Sequence, residues 1–309
     1  MKPKLSVVIL NMEQNNRKIK LENKSLDEKI YLAQKENIIN MFEIMLDNMN
    51  IHNITLEVYI VNCEKYLSND NIVGDAAFSY KKGKYIVLLS PKIIEEYHNK
   101  YNLDLELCII HELVHLRDFY MLHEYKKIDL NPYNNRLNTE ENNIFKLGYT
   151  FWTEFNAYKE CFKLEKDFDY NTTYQMMKKY IDIKEKDKYI KILSKKEDKS
   201  VFEEVDEYKK LVDTFIYLFS KYLAGLIFGK GRYYRYSDKT QNSKEYKKIE
   251  RLGRGLSIRI VKMFHNRYGK YYYKRIYNIG LFILKNIYKD FGLCFTKIRN
   301  KTRLIKWLD

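Results

Sequence analysis

Apolar residues recur at spacings of three and four through most of this chain and alternate with polar ones in only a few short stretches. Helices should therefore outnumber strands. Residues 5–12 read as a strand, and residues 25–50 as a long amphipathic helix with Ile, Leu and Met on one face. The segment ITLEVYIV, residues 54–61, alternates as a half-buried strand should. AAFSY and YIVLLS flank a Lys- and Gly83-containing turn, the pattern of a hairpin. Ser90 and Pro91 then mark a helix start, with serine as N-cap and proline at the first helical position. A further helix is expected over residues 104–125, and another from Thr139 to about residue 164, with Glu140 and Glu141 at the positive end of its dipole. Beyond residue 170 the pattern is helical throughout. The fold class expected is α+β: residues 1–170 as one domain with a small mixed sheet, and residues 171–309 as a mainly helical region.

Charge changes this picture in one place. The chain of 309 residues carries a formal net charge of +15, and residues 229–309 hold 22 Lys and Arg against 5 Asp and Glu. The remainder is nearly neutral, so the excess lies in the C-terminal quarter, where it suits an acidic protein, nucleic acid or an anionic surface. GKGRYYRY, residues 229–236, and HNRYGKYYYKRIY, residues 265–277, interleave Arg and Lys with Tyr, a mixture that can hold phosphates and stack bases. A solvated basic face is the plainer alternative. The apolar run 211–228 is broken by Asp213 and Lys221, which favours a buried or interfacial helix over a membrane span. Four widely separated cysteines form no CxxC pair, and residues 5–10 make too short a core for a signal peptide. A cytoplasmic protein is expected.

The candidate chemistry sits in HELVH, residues 111–115. On a helix, residues four apart lie about 40° from each other on one face, so His111 and His115 can reach a single ion. Glu112 projects to the side, where a general base for a metal-activated water belongs. With six histidines in the chain, a chance HExxH has a probability of about one in a hundred, so two unrelated helical histidines are the weaker reading. A catalytic zinc site needs a third protein ligand. His123 lies about 120° from His111 and on the Glu112 side, which disfavours it. The metzincin spacing is absent, because Asp118 and Met121 stand where glycine and histidine would be required. Glu154, in FWTEFNAYKE, is the better candidate: Ala157 would permit close packing on the HELVH helix, and Phe151, Trp152 and Phe155 supply apolar bulk. An ordinary helical glutamate is the alternative.

Hairpin, helix at Ser90 and Pro91, HELVH, then ExxA on the next helix resembles the minimal zincins of gluzincin type, and most nearly the ImmA/IrrE-type peptidases. The resemblance covers roughly residues 54–165. It implies a zincin-like catalytic domain, zinc on His111, His115 and Glu154, and Glu112 as the catalytic residue. The expected function is then a zinc-dependent metallopeptidase acting on a protein or peptide, with substrate paired along residues 85–89 as an edge strand. A non-catalytic regulatory or nucleic-acid-binding protein that keeps the zinc fold is the alternative. Three neighbours have two readings each. Asp118 is either an acceptor that orients a ligand histidine or half of an exposed ion pair. Tyr158 is either an oxyanion donor or core, and Cys108 and Cys161 read first as buried packing.

Overall fold

Strand β2 (Thr55–Ile60) organises the first part of the chain, because Leu56, Val58 and Ile60 are fully buried on one of its faces. The computed structural model describes residues 17–61, 75–81, 83–125, 140–164, 173–178, 201–228, 244–264, 272–288, 293–298 and 301–306. Contacts divide the chain into two compact units, Met1–Ile109 and Ile110–Asp309. The strand expected over residues 5–12 and the domain boundary expected near residue 170 both lie outside the described residues.

In the first unit, β1 (Lys18–Asn23), β2, β3 (Ala76–Lys81) and β4 (Lys84–Leu89) form one mixed sheet in the order β1-β2-β4-β3. β1, β2 and β4 run parallel, with Val58 opposite both Leu21 and Val87, and β3 returns antiparallel beside β4. Strand β4 is therefore interior, with both hydrogen-bonding edges already used. The expectation that a peptide adds to residues 85–89 is corrected by this order, since the edges are β1 and β3. The hairpin turns through Gly83, whose φ of 79° is a left-handed conformation that side chains disfavour. Strand β1 had no counterpart in the pattern reading. It is an edge strand whose alternate positions are Lys18, Lys20 and Glu22, so it carries few apolar residues to betray it.

Helix α1 (Glu28–Asn48) begins at Asp27, whose carboxylate accepts from the backbone N–H groups of Lys29 and Ile30. It buries Ile38, Phe42 and Leu46, a stripe at spacing four. Arg17 closes its C-terminal end, donating to the Ile51 carbonyl at 3.0 Å and to Asp47 Oδ1 at 2.8 Å. Helix α2 (Pro91–Asn99) starts at the expected proline, although Ser90 makes no side-chain capping bond and instead donates its backbone N–H to the Asp75 carbonyl at 2.8 Å. Helix α3 (Asp104–Tyr120) contains HELVH and widens into a π-helical turn over Met121–Tyr125.

The second unit is built around α4 (Glu140–Leu164), with α5 (Val201–Phe228), α6 (Lys244–Phe264) and α7 (Tyr272–Ile283). Phe151, Trp152 and Phe155 of α4 are fully buried, and Phe151 and Phe155 meet Phe219 and Phe228 of α5. The polar interruptions of the apolar run find partners inside the fold. Tyr288 donates to Asp213 at 2.6 Å, and the Lys221 ammonium lies 5.4 Å from the centre of the Tyr158 ring. No described helix is long and apolar enough to cross a membrane.

Helix α4 also packs against α7. Its backbone comes closest to α7, where Gly148 and Gly280 face each other: a Cβ on Gly280 would stand 1.8 Å from the Ile144 carbonyl oxygen, and one on Gly148 2.0 Å from that of Ile276. Ala157, on the same helix, is fully buried. A second correction lies at the C-terminal end, where β5 (Leu293–Ile298) and β6 (Lys301–Lys306) pair as an antiparallel hairpin within a region read as wholly helical. Basic residues at Lys297, Lys301, Arg303 and Lys306 blur the alternation that would have marked these strands. The architecture is nevertheless α+β, with a small mixed sheet followed by mainly helical structure.

Candidate metal centre

Two helices supply the site. Helix α3 contributes His111, Glu112, His115 and Asp118, and α4 contributes Thr153, Glu154, Asn156, Tyr158 and Cys161. The spacings 111, 115, 118 on α3 and 154, 158, 161 on α4 each define one helical face.

The two histidines meet through the same ring nitrogen, with Nε2 of His115 3.0 Å from Nε2 of His111. Their rings stand at 80° to each other, with centroids 4.7 Å apart. Glu154 spans the pair: Oε2 lies 3.4 Å from His111 Nε2 and Oε1 lies 3.5 Å from His115 Nε2. The three side chains are 13–18% exposed, so solvent reaches the cluster without filling it. Ligand atoms of His111, Glu112 and His115 also fall within 4.8 Å of one another, with Glu112 buried. The sequence-derived set of His111, Glu112, His115 and Glu154 is thus brought together from two helices.

Oε2 of Glu154 is buried, and His111 Nε2 at 3.4 Å makes no well-directed hydrogen bond to it. An anionic oxygen in that position is costly unless a positive charge completes it. Burial works to raise the Glu154 pKa, yet the neighbouring His115 and His111 outweigh it and hold the carboxyl below its usual range. Burial likewise opposes protonation of His111, but Cys161, Glu154 and Glu112 together hold its pKa well above the ordinary histidine value. The cluster as a whole is a site that attracts positive charge, with nitrogen and oxygen donors of the kind that bind a divalent ion.

Thr153 was not singled out from the sequence. Its Oγ1 is 2.9 Å from His115 Nδ1, which leaves Nε2 as the nitrogen facing the cluster when Nδ1 carries the proton. Its adjacency to Glu154 was the available signal. Asp118 does not form an exposed ion pair, because it is fully buried. It accepts from Arg117 Nη2 at 3.1 Å and from Asn156 Nδ2 at 2.8 Å, and the latter bond ties α3 to α4 close to both His115 and Glu154.

Tyr158 forms a wall. Its ring packs edge-on to His111 at 4.9 Å, and its hydroxyl donates to the Tyr217 hydroxyl. Burial, then Tyr217 and Glu154, push its pKa well above the ordinary tyrosine value. Tyr217 comes from α5, 59 residues away, and nothing in the local sequence of α4 announces it. His123 stacks on Phe119 at 5.4 Å. Cys161 is a buried free thiol, and it is one of the groups that raise the His111 pKa. No protein-family description, curated protein or solved structure matches the chain.

Proposed function

We propose that this chain is a zinc-dependent metallopeptidase that hydrolyses peptide bonds of a protein substrate, with His111, His115 and Glu154 as ligands and Glu112 as general base. The observation that carries the reading is the Glu154 carboxylate, with Oε2 buried, spanning two histidine Nε2 atoms. Donors around a tetrahedral zinc, with bonds of about 2.0–2.1 Å, stand about 3.3 Å apart. Separations of 3.0, 3.4 and 3.5 Å among these donors agree with an ion of that size. Two imidazoles and one carboxylate also form a ligand set used in catalytic zinc sites that keep one position open.

Zinc bound there would supply Lewis acidity toward a water and toward the scissile carbonyl. Glu112, held beside the histidines yet offset from them on the helix, takes the proton from the attacking water and returns it to the leaving amine. Thr153 fixes the His115 ring, and Tyr158 closes the His111 side against solvent. The free thiols Cys108 and Cys161 suit a reducing cytoplasm. The basic C-terminal region, including exposed Lys274 and half-buried Arg275 on α7, would engage an acidic protein or nucleic acid. Arg232, Arg235 and Arg267, the other cations expected to take part, lie outside the described residues.

Cleavage of a peptide library by the zinc-loaded chain, compared with Glu112→Gln, tests this function. The variant should keep its zinc and its fold while turnover falls by about a hundredfold or more. Equal turnover in the two proteins ends the proposed mechanism.

A further inference from the structure

The apolar run 211–228 carries charged interruptions at Asp213 and Lys221, and the fold uses them differently. Asp213 accepts from the Tyr288 hydroxyl at 2.6 Å. Lys221 instead stands beside the wall of the metal centre, in the same compact unit as His111, His115 and Glu154. Thr214, Tyr217 and Lys221 recur at spacings of three and four, so they form an accessible strip of α5 between buried neighbours such as Phe215, Phe219 and Tyr222.

This strip meets the site through Tyr158. The Tyr217 ring packs edge-on to that of Tyr158 with centres 5.6 Å apart, and the Tyr217 hydroxyl accepts from the Tyr158 hydroxyl. The Lys221 ammonium lies 5.4 Å from the centre of the Tyr158 ring, and that ring lies 4.9 Å from the ring of His111. These two separations put the ammonium no more than about 10 Å from the His111 ring, a distance that about three residues of extended chain span. A peptide held at the ion can therefore reach Lys221 with a side chain close to the cleaved bond.

The aromatic partner holds the ammonium without neutralising it. A ring quadrupole attracts a cation but carries no net charge, so the ammonium keeps its full charge and its N–H donors. Its strongest contacts are then charge-assisted hydrogen bonds to a carboxylate. We propose, resting on the peptidase reading, that Lys221 is a specificity-determining residue of the site and receives an aspartate or glutamate side chain of the substrate within about three residues of the scissile bond. An apolar or basic side chain at that position would cover or repel the half-buried ammonium and be selected against. Substrate choice is thereby made by α5, a helix that supplies none of the proposed zinc ligands.

Two pools of short degenerate peptides, identical except that one carries Glu and the other Gln at a fixed position, test this on zinc-loaded protein. Binding is measured on Glu112→Gln, which separates recognition from hydrolysis, and kcat/KM on the wild-type chain. The Glu pool should bind about fivefold more tightly than the Gln pool, the effect of one partly exposed ion pair. Adding Lys221→Met keeps the apolar stem and should abolish the difference with zinc content unchanged, whereas Lys221→Arg should keep it. Equal binding of the two pools, or a preference that survives in Lys221→Met, would overturn the proposal. A Lys221-dependent preference in binding, with no cleavage by wild type, would uphold Lys221 as the residue that selects an acidic peptide and would refute the peptidase reading instead.

Discussion

Replacing Gly280 by alanine should loosen the helix that carries Glu154. The added Cβ would lie 1.8 Å from the Ile144 oxygen and 2.9 Å from the Gly148 nitrogen. Cβ contacts below 3.0 Å are essentially never found, so α4 and α7 must part by more than about 1 Å, and backbone cannot rotate aside as a side chain can. Overpacking of this kind costs about 1–3 kcal/mol or more, whereas alanine in place of glycine within a helix returns about 0.8–1 kcal/mol. The net expectation is a loss of about 1 kcal/mol, or about 2–4 °C in Tm for a unit of this size. Gly253→Ala provides the control. Its nearest neighbours would be Leu223 Cδ1 at 3.8 Å and Phe219 Cζ at 4.0 Å, so the propensity gain should stand and stability should rise by up to about 1 kcal/mol. Calorimetry of the metal-free proteins measures both. A Gly280→Ala protein that matches or exceeds wild type in Tm would refute the close-crossing argument.

Other expectations concern single contacts. Thr153→Val keeps shape but removes the hydroxyl at His115 Nδ1, and zinc affinity measured against a chromophoric chelator should fall about tenfold, with Thr153→Ser restoring much of it. Glu160 accepts from Lys159 and Lys163, and these partners outweigh its burial to hold its pKa below the model-peptide value of 4.5. Its contribution is therefore present above pH 4.5 and lost as pH falls through the lower folded value. Glu160→Gln should flatten the acid limb of the stability profile by less than about 1 kcal/mol, since Lys163 is exposed. Urea midpoints from pH 7 to pH 3 that track wild type would contradict this.

The parts of the fold that could be read directly were those in which one residue type has one physical use. Gly83 in the hairpin turn, Pro91 at a helix start and the paired histidines of HELVH each constrain the backbone or the chemistry locally. The placement of Glu154 beside the two histidines was legible because α4 offers a glutamate in an apolar setting. What escaped notice depended on distant partners or on masked periodicity. Whether β4 is an edge or an interior strand is decided by its parallel pairing with the distant strand β2, not by residues 85–89 themselves. The meeting of Gly148 with Gly280 joins positions 132 residues apart, and neither helix alone reveals it. Charged residues concealed β1 and the β5–β6 hairpin, because they break the apolar alternation by which a strand is read.

The central claim is that Glu154 completes a zinc site with His111 and His115. Zinc content per chain after exhaustive dialysis, measured by elemental analysis on wild type and Glu154→Gln side by side, tests it most directly. Wild type should retain one zinc per chain and the variant should bind it at least about tenfold more weakly, as loss of one of three protein ligands requires. A wild-type chain that retains no zinc, or a variant that retains it fully, would contradict the assignment.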